Sequence, residues 1–485
     1  MKFVALLLLL LCFLVPRLFY GLGVFQLWDE KSVVEVISKV GVVGDSGFFF
    51  LSEALDTFSS FGELFNLSKK RLLFSLSLLF SFFLITISCV FTYQKIMFKR
   101  YAFVVGFLLS IHPLLVWLSG EPDIYHFSGS LLCSGILFCL LKPMRFFIHS
   151  VLGVLLILLS LFISPEYFTL VMIFYLSLFV SYIGKFQMSL NVKNTSPFNP
   201  ITGLGFLGTV FLISIFSKGD HFFNVAPKTI TQTLVGLSRV FLSDDLMINL
   251  KLVSRNLVKA YFSPVIFIAP LFLFFKKIRV KELLPILIMG FATPIIGIPG
   301  IIKSNYHFLY ASVVFLTIAT VFILREFLKI SRLPFIKAFL FFILFGVLLG
   351  GLFARARRDY HRRVSMSDVA MFLKSVPEIE NKVLHTPFGL RLPVMGFLEV
   401  VEKKNISLRP IPLIFKENLS RLTLSSSPIY LFIDDYFIYE AYWRGEFWRS
   451  KKVEAKGVKV ELIKVFHEDS PNVGRLFKVT RENKN

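Results

Sequence analysis

Charge is what this sequence has least of. Of its 485 residues only 17% are charged, against 55% hydrophobic and 16% aromatic, and the mean hydropathy is +0.72. That composition leaves too little polar surface for a water-soluble globule of this length and specifies a polytopic membrane protein. Cysteine is scarce as well. Cys12, Cys89, Cys133 and Cys139 fall inside apolar runs without the spacing of a metal site or a disulfide framework, and they read as small buried apolar residues. The chain has no Gly-rich lysine loop for nucleotide phosphates, no His-Glu-x-x-His helix and no Gly-x-Ser-x-Gly turn, and each absence removes a common class of chemistry. It shows no internal repeat and no low-complexity tail. Acids and bases in the middle of apolar segments are nearly absent, which argues against a proton pathway or transport route.

Long apolar segments are what it has most of. They run Phe3–Phe25, Leu72–Tyr93, Tyr101–Leu118, Phe127–Leu141, Phe146–Ile163, Phe168–Ile183, Ile201–Phe216, Tyr261–Phe275, Leu283–Ile302, Phe308–Leu324 and Ala338–Phe353. At the ~20 residues that a crossing needs, this predicts about eleven transmembrane helices, some of them short by that measure. Pro16 and Arg17 interrupt the first segment, but no small-residue cleavage site follows Leu14, so it reads as a retained helix rather than a signal peptide. The net charge of +22 would point to nucleic acid in a soluble protein. In a membrane protein Lys and Arg set topology and meet anionic headgroups, so no nucleic-acid partner is expected.

The loop charges alternate. Lys95, Lys99 and Arg100, then Lys142 and Arg145, Lys185 and Lys193, the run Lys276 to Lys281, and Arg325 to Lys337 share one side, cytoplasmic if Met1 is. The intervening loops hold most of the carboxylates, from Asp29 and Glu30 through Glu121, Asp123 and Glu166 to Asp244 and Asp245. The same count puts the basic run Arg355, Arg357, Arg358, Arg362 and Arg363 outside, against the alternation: either it grips lipid phosphate on the outer surface or the helix count is off by one. Residues 1–353 thus form a membrane domain with a first outer loop 26–70 and a long outer loop 218–260. Residues 354–485 have the composition of a small soluble α/β domain of roughly 120 residues. Within it a helix is expected over Ser365–Val376, and strands over Val383–Thr386, Ile429–Ile433, Val458–Val465 and Leu476–Val479. The aromatic segment Tyr436–Trp448 reads as packing against its own domain or the membrane rather than as a sugar platform.

Trp28-Asp29-Glu30 follows directly on the first helix and so falls at the outer surface. The plain reading is an interfacial tryptophan above solvated charges or a helix start; the chemical reading is a catalytic base. Beyond it come Leu64-Phe65-Asn66-Leu67-Ser68 with Arg71, His112-Pro113, Ser119-Gly120-Glu121-Pro122-Asp123-Ile124-Tyr125, and Lys303-Ser304-Asn305-Tyr306-His307-Phe308-Leu309-Tyr310. This series resembles the GT-C membrane glycosyltransferases, in particular the protein O-mannosyltransferases, the lipid A aminoarabinose transferases and their bacterial relatives. Asn305 stands where that pattern often has an arginine, and Glu121-Pro122-Asp123 replaces a more basic stretch.

The resemblance implies a GT-C-like fold with a small extracytoplasmic C-terminal domain. It also implies inverting transfer of a sugar from a polyprenyl-phosphate donor to an acceptor hydroxyl on the outer face of a plasma (inner) membrane. The partners are then the lipid-linked sugar, the bilayer and an acceptor glycan, lipid or protein. Asp29, with Glu30, is the expected base. Glu121, Asp123 and Glu166 are expected to position the acceptor or a divalent metal ion, with Asp45 behind them, and metal dependence stays open. Lys303 and His307, or Arg239 and Arg255 on the long loop, are expected to hold the donor phosphate, whose leaving charge needs cations. A snorkelling lysine and an interfacial histidine are the plain readings of Lys303 and His307. A transporter or flippase for lipid-linked saccharides and a non-catalytic membrane scaffold are the alternatives.

Overall fold

The computed structural model describes residues 2–25, 69–96, 99–120, 124–141, 148–163, 167–186, 246–261, 283–298, 309–330, 334–386, 403–410, 428–435, 452–455, 457–469 and 472–481, with isolated positions between them. Contacts divide the chain into a helical unit, Met1–Gly21 with Gly44–Phe353, and a second unit, Leu22–Val43 with Ala354–Asn485, that carries a sheet.

In chain order the helices are α1 (Lys2–Phe25), α2 (Lys69–Ile96), α3 (Lys99–Ile111), α4 (Pro113–Gly120), α5 (Ile124–Leu140), α6 (Ile148–Ile163), α7 (Phe168–Phe186), α8 (Leu246–Tyr261), α9 (Leu284–Ile296), α10 (Leu309–Ile330) and α11 (Pro334–Ser375). Among the described residues one helix, Ser75–Ile96, is long and apolar enough to cross a membrane, and a bent pair makes a second if counted as one span. Six shorter apolar helices of 10–17 residues accompany them. Among the described residues, helices long and apolar enough to span therefore number one or two, fewer than the roughly eleven expected from hydropathy, some of which are short by that measure. Ile201–Phe216 and most of Tyr261–Phe275 lie outside the described residues.

Two local differences have physical causes. The segment Tyr101–Leu118, read as continuous, is broken at His112, and α3 and α4 meet at 60°, because Pro113 has no N–H to continue the ladder. The segment 218–260, expected as an outer loop, contains most of α8, a helix too amphipathic to register as apolar.

The helical unit packs through small residues and hydroxyls. A Cβ on Gly135 of α5 would lie 2.7 Å from the Gly153 carbonyl oxygen of α6, so these two backbones approach as only glycine permits. Ser77 of α2 donates to the Ser119 carbonyl of α4 at 2.8 Å, and Ser160 of α6 donates to the Ser128 carbonyl of α5 at 2.8 Å. Large apolar side chains such as Leu79, Phe82, Leu155, Leu159 and Leu176 are left exposed.

The C-terminal unit is a six-stranded mixed sheet: β1 (Val383–Thr386), β2 (Ser407–Pro410), β3 (Ile429–Asp434), β4 (Lys452–Ala455), β5 (Val458–Phe466) and β6 (Gly474–Arg481). Their spatial order is β2-β1-β3-β6-β5-β4. β1 pairs parallel with β2 and β3, and the other pairings are antiparallel. All six residues of β3 are buried. Tyr430 and Phe432 face Val369, Ala370 and Leu373 at the end of α11, while Ile429, Leu431 and Ile433 face Trp448, Val458 and Phe477 on the other side. Trp448, from the aromatic segment, is a core residue with its ring 5.1 Å from that of Phe477.

Candidate functional site

The broken helix organises the interior polar groups. Pro113 leaves the Leu109 carbonyl without its usual donor. The Leu114 N–H, due to the Ser110 carbonyl in a continuous helix, instead reaches His112 Nδ1 at 3.2 Å. His112 Nδ1 is then an acceptor, and its Nε2–H donates to the Tyr261 carbonyl at 3.3 Å. The freed Ser110 carbonyl is taken by Arg17 of α1, whose Nη1 donates to it at 2.6 Å and to Phe13 O at 3.2 Å. Arg17 is 1% exposed, with its guanidinium carbon 4.3 Å from the Phe13 ring centroid.

Tyr310 of α10 lies within electrostatic reach of Arg17. Its hydroxyl bonds Ser130 at 2.7 Å, and its ring meets that of His126 edge-on at 5.3 Å. His126 Nε2 lies 2.9 Å from Ser81 Oγ and 3.3 Å from Ser77 O. Gly129 makes this approach feasible, since a Cβ there would sit 2.9 Å from Tyr310 Cδ1 and 3.2 Å from the Tyr167 hydroxyl. A second chain of bonds runs from the Tyr261 hydroxyl to Ser312 and on to the Gly290 carbonyl. Among the described residues the Arg17 cluster offers donors and a positive charge, but no carboxylate. It is suited to holding an anion and not to accepting a proton from a substrate.

These groups qualify the expectation that bases inside the apolar segments are nearly absent, because Arg17, His112 and His149 lie inside such segments and are buried, and His126, just ahead of one, is buried as well. Hydropathy averages conceal single polar residues, and a serine or histidine facing a neighbouring helix costs little once it is bonded. The available signal was Arg17 itself, a lone cation inside an otherwise apolar segment.

Of the residues expected to act chemically, Asp29, Glu30, Asp45, Glu121, Asp123, Glu166, Lys303, His307 and Arg239 lie outside the described residues. Arg255 is described: it is half-buried on α8, which packs against α4, and it has partners of its own. Among the described residues no three His, Cys, Asp or Glu side chains gather to hold a metal ion. No protein-family model matches the chain, and no curated protein matches it.

Proposed function

We propose that the chain is a polytopic membrane glycosyltransferase of the GT-C type, with about eleven spans, acting at the extracytoplasmic face of a plasma membrane. The observation that carries the membrane part is the outer face of the helical unit, where Leu, Val and Phe side chains stay exposed while hydroxyls, imidazoles and a guanidinium are buried within an apolar core. That arrangement suits lipid as the surrounding solvent. The transferase part is supported by the run of residues from Asp29 to Tyr310 that resembles the GT-C enzymes.

In this reading the acceptor oxygen attacks the anomeric carbon from the face opposite the phosphate. The new C–O bond forms as the bond to the phosphate oxygen breaks, so configuration inverts. Asp29 takes the acceptor's proton, and cations stabilise the departing polyprenyl phosphate. The test is consumption of radiolabelled polyprenyl-phosphate sugars by purified protein, with and without chelator. Asp29→Asn is expected to slow transfer by about 10²- to 10⁴-fold. Near-normal transfer in that variant rejects Asp29 as the base.

A specific observation favours a second reading, transport of lipid-linked saccharides. Discontinuous helices such as α3 and α4, with buried charge beside the break, recur at transporter substrate sites. Release of labelled saccharide across vesicles without cleavage of the donor would support it against transfer.

A further inference from the structure

Among the described residues no carboxylate is among the groups acting on Arg17, which is buried in an apolar unit, where an isolated cation is strongly disfavoured. The two carbonyl oxygens and the Phe13 ring spread its charge without cancelling it. Each of the two residues joined by the Arg17–Ser110 carbonyl bond also keeps an unused donor: Arg17 Nε and the Ser110 hydroxyl are both buried and have no hydrogen-bond partner among the described residues. Ser110 stands in the last turn of α3, where the broken helix has already opened its hydrogen-bond ladder.

We infer that Arg17 and Ser110, at the open end of α3, form a binding site for a phosphate group. A tetrahedral oxyanion has enough acceptor oxygens to take both idle donors at once, and it supplies the missing negative charge. The planar guanidinium matches phosphate geometry better than a lysine does. The inference deepens the transferase reading and rests on it for the source of the phosphate, a polyprenyl lipid whose chain keeps to apolar surroundings. Inorganic phosphate shares the same chemistry.

Purified full-length protein in nanodiscs of zwitterionic lipid is titrated with sugar-free polyprenyl phosphate, and separately with inorganic phosphate, with bound ligand read by native mass spectrometry. Saturable lipid binding is expected, weakened about 10- to 100-fold in Arg17→Gln and about 3- to 10-fold in Ser110→Ala. Ser110→Ala keeps the carbonyl that Arg17 caps, so it reports on the site even where Arg17→Gln fails to fold. Arg17→Lys keeps the charge and is expected to bind with intermediate affinity.

Saturable binding of inorganic phosphate with the same dependence on Arg17 and Ser110 supports the site and moves its source to the free ion. Unchanged affinity in Ser110→Ala together with Arg17→Lys overturns it. Loss of binding in the variants of a protein that consumes no sugar donor leaves the site standing and rejects the transferase. Donor consumption with unaltered binding in the variants does the reverse.

Discussion

The two units of this chain both bury an apolar core but differ in what they leave exposed. In the helical unit the buried polar residues include Ser77, Ser81, His126, Ser130, Ser160 and Thr320, while Leu155, Leu159, Leu176 and Phe179 are exposed. In the sheet unit Leu384, Phe432, Trp448 and Phe477 are buried, and charged pairs such as Lys478 with Glu378 and Arg475 with Asp435 lie towards the surface. Apolar burial accounts for the sheet unit in water, whereas the helical unit adds to its apolar core close packing at glycine and interhelical hydrogen bonds, a combination that fits the proposed apolar surroundings. The difference supports the proposed membrane reading more directly than helix length does.

The contrast can be broken most severely in the sheet. Phe432→Ala removes a ring that packs on Gly474 and Phe466 and is expected to destabilise the C-terminal unit by about 3–5 kcal/mol. Hydrogen exchange should show amides of β3 and β6 losing protection while those of α5 and α6 keep it. Equal loss in both units would show that they do not melt separately.

A change on the outer face of the helices tests the apolar exposure itself. Leu155 is 56% exposed in the middle of α6, so Leu155→Arg would be nearly neutral if that face met water. In a bilayer it is expected to cost about 2.5–3.5 kcal/mol for insertion, measured as the inserted fraction in a translocation assay. Full insertion of the variant would break the comparison.

The smallest effect sharpens the other half. The Lys478 ammonium holds the exposed Glu378 carboxyl below its ordinary value, while Glu378 raises Lys478 and burial raises the Tyr430 phenol. The Glu378 contribution is present above pH 4.5 and is lost as the pH falls through its lowered folded value. The Tyr430 and Lys478 contributions are present below 10.0 and 10.5 and are lost as the pH rises through their raised folded values. The sheet unit should therefore be most stable between those limits, and Lys478→Met should flatten the acid limb. A denaturation midpoint followed against pH for both proteins checks this, and an acid limb of equal slope in the two would exclude the pair as its cause.

How much was legible depended on where a residue sits in its element. Four strands were readable as apolar or alternating runs, and these are β1, β3, β5 and β6, the inner strands of the sheet. The two that were missed, Ser407–Pro410 and Lys452–Ala455, are its two edges, where one side of the ladder is unpaired and the four-residue strands mix polar or charged residues with apolar ones. Likewise most apolar helices lay where hydropathy put them, while amphipathic α8 did not. The break at His112 was hidden because proline is tolerated near a helix start, and only the neighbouring segment shows whether the helix resumes in line.

The candidate site follows the same division. Asp29 and Glu30 were legible as a carboxylate pair after an apolar segment, because charge beside hydrophobicity is a local property. Arg17 and Ser110 are 93 residues apart, and nothing local to either announces the other. Composition alone determined that this chain buries most of its mass in apolar helices and ends in a small α/β unit. Only the tertiary structure decided that Pro113 frees the Ser110 carbonyl and that Arg17 takes it. Hydrogen bonds between distant segments depend on which backbone groups the fold leaves unpaired, and a sequence lists those groups without pairing them.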